Sequence, residues 1–554
     1  MKPSLQTPWI ELSNALSKSL YLKVGLLLLP VSLVWIVFGW AITQDGPAHL
    51  ASAKIANEWL DGQNPVRSIY TLDLRPLPNW SGQAISMLAL KRVPAIWANR
   101  LMNLAGLWLP PMSIVSLLRV VQAQRLNSGW GVALWVSLTA MNLVWSFGFT
   151  SFLLGLAMAW VVLGRVWSFG GGQVSGLRPW LGLAISWWVL FLCHLVAYGI
   201  AGLVCGSLVM ATPGWRLRKR FQIVVATATS LPLVWNYRRI TGGSSLELIW
   251  EHFQWSQIFE VSNWVRHLGW IDPISVVSKR WLPIVEIEST WAILCQPLFW
   301  TILAIFVLLL DVRFKAWSGA KAGEQRGWFL GILILLIFGV LGPDSLGRDQ
   351  GHYLPQRILI GAMSVASVVW PMTTVGKVRM ATCFLAAAWL GQSVSLMELG
   401  RKSARLTFSI SGIGDFISSG DRVLAFNDAK PWAYRSNPRL HLDSVVVMAA
   451  EAVTSWNLYE AAHAYFPLHF RQKPPGLDPR GLESVSLKQS QEQVSERRLQ
   501  IHSIVQAADG QVDVILVLAE QGSEVGQVVR DSDEIRTKWK LQRETQSWAI
   551  YRRR

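Results

Sequence analysis

Long apolar runs alternate with short polar connections through residues 20–400 of the chain. Each run has roughly the 20 residues that an α-helix needs to cross a bilayer. The pattern predicts about 11 transmembrane helices, which centre on residues 20–42, 96–118, 129–147, 149–166, 179–194, 196–213, 221–236, 291–311, 327–342, 357–373 and 380–397. Tight hairpin turns are predicted at 146–152 and 193–199. The run 20–42 is too long for a cleavable signal peptide, so we expect a signal anchor.

The pattern changes after residue 398. Strand-like runs at 421–426, 512–519 and 539–553 follow or flank helix-like stretches at 412–420 and 451–465. The sequence therefore predicts a mainly α protein with three parts. These are a short N-terminus (1–19), a transmembrane domain (20–398) and a separate α/β domain (399–554), whose size is ordinary for a domain.

Composition supports a polytopic membrane protein. The chain of 554 residues is 52% hydrophobic and only 15% charged, whereas soluble proteins carry about 25% charged residues. It contains 32 tryptophans, a residue type that is enriched at membrane interfaces. The cysteines all lie in apolar runs without metal-site spacing, which argues against a disulfide framework or a zinc site. They are Cys193, Cys205, Cys295 and Cys383.

The net charge of +17 is distributed unevenly. Lysine and arginine collect in alternate short loops, for example at 216–220, 313–326 and 377–379, and the intervening short loops are nearly free of them. Because basic loops stay on the cytoplasmic side, the N-terminus is predicted to be cytoplasmic. Loops 43–95, 237–290 and 343–356 and the α/β domain are then extracytoplasmic. This distribution accounts for much of the charge without a nucleic-acid partner.

Polar residues follow the first apolar run directly. The stretch "QDGPAHLASAKIANEWLDG", residues 44–62, predicts a short amphipathic helix at the membrane interface that ends at Gly62. Asp45 occupies the N-cap position, and His49 lies four residues later, on the same face. Asp45 can be a helix cap alone, or it can accept a proton from a nucleophile or hold a divalent cation such as Mg²⁺ or Mn²⁺.

A second polar cluster lies in "PDSLGRDQGHYLPQRILIG", residues 343–361. Its chemistry-bearing members are Asp344, Arg348, His352, Tyr353 and Arg357. One interpretation is an interfacial arginine beside a belt tyrosine. The other is that Arg357, with Arg348, binds a phosphate or pyrophosphate through the planar guanidinium fork. The sequence contains no P-loop, dinucleotide fingerprint, serine nucleophile elbow or HExxH motif.

Taken with "QDGPAHL" at 44–50, "GFTSFLLG" at 148–155 and "GHYLPQRILI" at 351–360, this arrangement resembles the GT-C-type membrane glycosyltransferases. The resemblance covers about residues 20–400. It implies a sugar donor linked to polyprenyl phosphate or polyprenyl diphosphate. Asp45 matches the position of the proposed catalytic base, and Arg357 matches a contact to the lipid phosphate.

The resulting hypothesis is an inverting glycosyltransferase of a bacterial cytoplasmic membrane. Asp45 and His49 are the expected catalytic residues. The expected substrate-binding residues are Arg357, Tyr353, His352 and Arg348. The acceptor is a glycan, lipid or protein at the outer face, and membrane lipids surround the chain. Two alternatives remain open: a transporter or flippase for a lipid-linked saccharide, and a non-catalytic scaffold in envelope polysaccharide assembly.

Overall fold

The structure is a computed structural model, and it describes residues 19–122, 129–241, 248–277, 296–309, 320–346, 351–369, 375–429, 432–451, 453–472, 476–479, 481–483 and 491–554. The chain divides into two compact units. Unit 1 comprises Met1–Leu33, Ala105–Trp145 and Ser151–Met397. Unit 2 comprises Val34–Leu104, Ser146–Thr150 and Glu398–Arg554. The predicted outer loop 43–95 thus belongs to the same unit as the C-terminal segment.

Helices dominate the described residues. Those of the first 400 positions are α1 Leu20–Val37, α2 Gly46–Leu60, α3 Asn64–Ile69, α4 Trp80–Arg92, α5 Ala95–Val121, α6 Trp130–Ala140, α7 Leu143–Phe147, α8 Thr150–Gly170, α9 Leu177–Cys193, α10 Leu195–Ala211, α11 Leu217–Ala228, α12 Leu231–Ile240, α13 Val261–Ile271, α14 Pro297–Leu309, α15 Ala320–Leu341, α16 Leu354–Ala366 and α17 Val375–Ser409. The remaining helices are α18 Leu442–Ala449, α19 Gln491–Ala507, α20 Glu524–Asp531 and α21 Asp533–Lys538.

Helix occurs in each of the predicted apolar segments. Within the described residues, five helical segments are long and apolar enough to cross a membrane: Leu20–Val37, Ala95–Val121, Trp130–Phe147, Thr150–Gly170 and Gly376–Phe416. Five more apolar helices are shorter. The figure of 11 spans stays a prediction.

The predicted span 221–236 is not one continuous helix. It falls on α11 and α12, which are separated at Thr229 and Ser230. Pro232 lies in the first turn of α12, where it has no N–H to continue the ladder of α11. Hydropathy alone does not register this break, because Pro232 stands among apolar residues.

Unit 2 contains a five-stranded mixed sheet. Its strands are β4 Arg422–Asn427, β5 Thr454–Ser455, β7 Val514–Leu518, β8 Trp539–Glu544 and β9 Ala549–Arg553, in the order β5-β4-β7-β9-β8. Strand β4 pairs in parallel with β5 and β7, whereas β9 is antiparallel to β7 and β8. The side chains of β7 are all buried, as expected for a central strand covered on both faces. All three predicted strand-like runs are strands, the last one as the β8–β9 hairpin.

The stretches predicted as helix-like in the C-terminal segment are mostly not α-helical. Residues 412–420 contain a short 3-10 turn, Ile413–Phe416. Residues 451–465 contain β5 and the 3-10 turn Tyr459–Ala462. Runs this short do not carry enough turns for a helical period to be distinguished from a strand or a turn.

Within unit 2, a two-stranded sheet joins the first outer loop to the C-terminal segment. Strand β1, Tyr70–Leu72, pairs with β6, Leu468–Phe470, in antiparallel register. Helix α2 packs on α4 and α18, and Lys54 of α2 donates hydrogen bonds to the carbonyls of Val447 and Ala450. Ten of the 15 residues of α2 are buried. The predicted helix is thus present, and the C-terminal segment packs on it; its place at a membrane interface stays a prediction.

In unit 1, the described residues of the long loop 237–290 are only partly helical. The loop contains β2 Leu248–Ile249, a 3-10 turn at Trp255–Gln257, and α13. Strand β2 pairs antiparallel with β3, Ser345–Leu346. The loop is thereby joined to the segment that precedes α16.

Candidate functional site

The chain presents Asp45 on a short non-helical segment that main-chain hydrogen bonds hold in place. The Gln44 N–H donates to the Ser146 carbonyl at 3.2 Å, and the Asp45 N–H donates to the Phe147 carbonyl at 2.8 Å. The turn after Phe147 requires glycine. Gly148 has φ +85°, and a Cβ there would lie 2.5 Å from the backbone nitrogen of Gly46. The "SFGF" hairpin therefore sets the position at which α2 begins.

The Asp45 carboxylate is almost completely buried, with 7% of the residue exposed. Its Oδ1 accepts a hydrogen bond from Gln44 Nε2 at 3.0 Å and lies 3.5 Å from His441 Nε2. Asp45 stands at the N-cap position of α2, but its side chain makes no capping hydrogen bond. Side-chain capping, one of the two interpretations from sequence, is therefore excluded. Among the described residues, no hydrogen bond engages Oδ2.

His441 ends a 3-10 turn, Pro438–His441, immediately before α18. Its imidazole is buried and packs near the ring of Tyr459, with 4.9 Å between ring centroids. Burial lowers the pKa of His441, but the hydrogen bond and charge of Asp45 outweigh burial and raise the pKa to about 9. At neutral pH, Asp45 thus faces an imidazolium.

His49 pairs with a different carboxylate. Its Nδ1 is hydrogen-bonded to Oε1 of Glu460, whose side chain is fully buried. Burial lowers the pKa of His49, but the charge and hydrogen bond of Glu460 and the charge of Asp45 together raise it. His49 is joined to Asp45 through the backbone, because its N–H donates to the Asp45 carbonyl at 3.1 Å. The two residues predicted from sequence are therefore neighbours, and each has its own partner from the C-terminal segment.

Two of these partners, His441 and Glu460, were not recognised in the sequence. The same holds for Tyr459, which lies beside His441. A signal was present: "HLDSVVVMAA" at 441–450 and "NLYEAAHAYF" at 457–466 place ionisable residues among apolar ones in a domain expected to be soluble. Buried charged groups are rare unless they are paired. Only the fold reveals that their partners are more than 390 positions away, as for His441 and Asp45.

In unit 1, Arg357 lies in the first turn of α16. It is 8% exposed. Its guanidinium lies 5.7 Å from the ring centroid of Phe152, and its Nη1 is 3.5 Å from Nε2 of His194. Nδ1 of His194 accepts from the Val196 N–H at 3.1 Å, so in the neutral ring the proton is on Nε2. Two N–H donors thus converge here, an arrangement suited to an anion.

The other residues predicted around Arg357 are distributed differently. Tyr353 precedes α16 with φ +58° and stacks on Trp270 at 5.5 Å between ring centroids. His352 is exposed. Arg348 lies outside the described residues. Asp344 has a structural role, because its Oδ1 accepts from Trp270 Nε1 at 3.0 Å and its Oδ2 accepts from two backbone N–H groups.

A divalent cation finds no ligand set among the described residues. No group of three or more His, Cys, Asp or Glu side chains there is arranged to hold a metal ion. Asp45 lies instead beside His441.

No protein-family model matches this sequence, and no curated protein matches it. Among solved structures, the chain is similar to the arabinofuranosyltransferase AftD from Mycobacteria, with 14% identity and a TM-score of 0.44. That match covers 96% of this chain and 39% of the AftD chain, so the chain spans well under half of that protein.

The chain is also similar to ArnT from Cupriavidus metallidurans in the apo state, with 11% identity and a TM-score of 0.47. That match covers 99% of this chain and 98% of the ArnT chain. For ArnT bound to undecaprenyl phosphate, the identity is 11% and the TM-score is 0.47, and the match covers 95% of this chain and 97% of that chain. AftD and ArnT are both GT-C glycosyltransferases.

Proposed function

We propose that this chain is a membrane glycosyltransferase that moves a sugar from a polyprenyl-phosphate or polyprenyl-diphosphate donor to an acceptor hydroxyl, with inversion. The observation that carries the proposal is the burial and hydrogen bonding of the Asp45 carboxylate. Its buried carboxylate is held through one oxygen by Gln44 and His441, and the other oxygen makes no hydrogen bond among the described residues. A carboxylate fixed in this way is pre-organised to receive a proton.

In the proposed reaction, Asp45 Oδ2 takes the proton of the acceptor hydroxyl. The acceptor oxygen forms a bond to the anomeric carbon as the bond from that carbon to the phosphate oxygen breaks. The bonding electron pair leaves with the phosphate. Attack opposite to the leaving group inverts the anomeric centre. No atom changes oxidation state in this step.

His441 and Glu460 are positioning residues in this proposal. The imidazolium of His441 fixes the direction of the Asp45 carboxylate before the acceptor arrives. Glu460 orients His49, which lies one helical turn away from Asp45.

Arg357 is proposed as the contact to the donor phosphate, on the outer side of a bacterial cytoplasmic membrane. Negative charge grows on the phosphate as the anomeric bond breaks, and a guanidinium stabilises that charge. The buried setting supports this role, because a charge–charge interaction is stronger where water is excluded. Tyr353 and His352 are proposed to lie beside the donor, since both immediately precede the helix that carries Arg357.

The test is Asp45→Asn in a strain that lacks the native protein, with surface glycans and lipid-linked sugars profiled by mass spectrometry. Loss of a general base lowers rate by about 10²–10⁴-fold, so the glycan should disappear and its lipid-linked donor should accumulate on the outer leaflet. Asp61→Asn is the matched control. Asp61 follows the same helix α2 and pairs with Lys91 at the surface.

Three outcomes contradict the proposal. Normal glycans from Asp45→Asn at equal protein level exclude a catalytic Asp45 and favour a scaffold. Accumulation of the donor on the inner leaflet indicates a flippase. An equal loss of glycan in Asp61→Asn assigns the effect to the structure of α2 and removes the support for a base at Asp45.

A further inference from the structure

An open basic groove lies in unit 1, apart from Arg357 and from every residue assigned above. It has a volume of about 580 Å³. Its lining residues come from the beginnings of α9 and α11, and the cationic ones are Arg216, Arg218 and Lys219. We propose that this groove binds the phosphate headgroup of an anionic phospholipid.

The charge of the groove is not balanced by its neighbours. Arg216 and Arg218 are exposed, and neither forms an ion pair or a side-chain hydrogen bond with a described residue. Lys219 stacks on Phe169, 3.8 Å from the ring centroid, and donates to the Val174 carbonyl at 3.4 Å. No acidic residue lines the groove. Three adjacent cations without an acidic partner repel one another, and a bound phosphate removes that repulsion.

Two helix beginnings add to this positive field. Gly176 caps α9 and Arg216 caps α11, and neither side chain closes its helix with a capping hydrogen bond. Neither helix has an acidic residue in its first turn. The first residues of both helices line the groove, so the positive ends of two helix dipoles lie beside it, which favours an anion.

The surface next to the groove is apolar, and this favours a lipid over a soluble phosphate. Leu177 and Phe221 line the groove and are 69% and 67% exposed. Helices α9 and α11 pack together and both begin at the groove. Along them, further exposed apolar side chains continue away from the basic end: Leu181, Ile185, Trp188 and Val189 on α9, and Val224 and Val225 on α11. An acyl chain can follow this surface while its headgroup stays among the arginines.

The experiment measures phospholipid binding to the detergent-purified full chain by native mass spectrometry. Dioleoyl phosphatidylglycerol is the anionic probe, and dioleoyl phosphatidylcholine is the neutral one. We expect phosphatidylglycerol to bind more tightly, and Arg216→Gln with Arg218→Gln to weaken it by roughly 30-fold, from about 1 kcal/mol for each arginine near a lipid surface. Arg238→Gln with Arg239→Gln is the matched control, because both are exposed and end the neighbouring helix α12.

Glycerol 1-phosphate, the headgroup chemistry without acyl chains, separates the two sources of phosphate. It should compete with phosphatidylglycerol only weakly. The proposal is overturned if phosphatidylglycerol binds the two double variants equally, if the two lipids bind the wild type equally, or if glycerol phosphate competes as well as the lipid itself. Loss of the two exposed arginines should leave the lipid-free melting temperature unchanged, which shows that any difference in lipid binding comes from the groove.

Discussion

Replacing His441 with glutamine should remove a pH dependence from the stability of this protein. The pKa of His441 is raised from an ordinary 6.5 to about 9 in the folded chain. Burial opposes this increase, and the hydrogen bond and charge of Asp45 more than compensate, with smaller contributions from Glu483 and Asp443. The difference in pKa corresponds to about 3 kcal/mol of stabilisation.

The direction in which stability changes with pH follows from proton binding. Between pH 6.5 and about 9 the folded protein keeps the His441 proton and the unfolded chain does not. Stability is therefore full below pH 6.5 and falls as pH rises through about 9. Wild type should lose about 3 kcal/mol across this window through His441. His441→Gln should lack this part of the loss and retain the smaller part that comes from His49, whose pKa is also raised.

The assay is denaturant unfolding of the detergent-solubilised chain, followed by tryptophan fluorescence at several pH values from 6 to 10. His502→Gln is the control, since it removes an imidazole on helix α19 of the same unit without altering the partner of Asp45. Parallel stability profiles for wild type and His441→Gln would refute the reasoning. They would mean that Asp45 and His441 do not form a charged pair in solution.

The two remaining predictions concern the turn before α8 and the phosphate contact. Gly148→Ala should sharply reduce the folded yield, because at φ +85° its Cβ would overlap Thr43. In Gly172→Ala, at φ +75°, the Cβ meets nothing within 4 Å, so the substitution should cost about 1 kcal/mol of stability. Equal melting temperatures for the two variants would contradict the steric argument. Arg357→Lys keeps the positive charge but loses the planar guanidinium that lies beside His194. In a binding titration with undecaprenyl phosphate, the affinity of this variant should fall about tenfold. Unchanged affinity would exclude a phosphate contact at Arg357.

The apolar pattern was sufficient to locate helix in each of the long apolar segments and four of the five strands of the C-terminal sheet. Each of these elements buries a continuous run or a face of its own, so its period is visible locally. The pattern was less informative where an element depends on a distant partner. Helix α2 was predicted from its own sequence, but its packing against α18 was not. The break at Ser230 was also missed, since Pro232 does not alter hydropathy.

The candidate site was likewise only partly predictable from the sequence. Its first two residues, Asp45 and His49, follow directly on an apolar run, and sequence alone singled them out. Their partners, His441 and Glu460, come from turns that begin only after residue 436. No local period marks such residues, because a 3-10 turn has no repeating face. Tertiary structure alone decided that Asp45 faces an imidazolium instead of capping its helix, since the free energy of a buried charge depends on which group lies beside it in space.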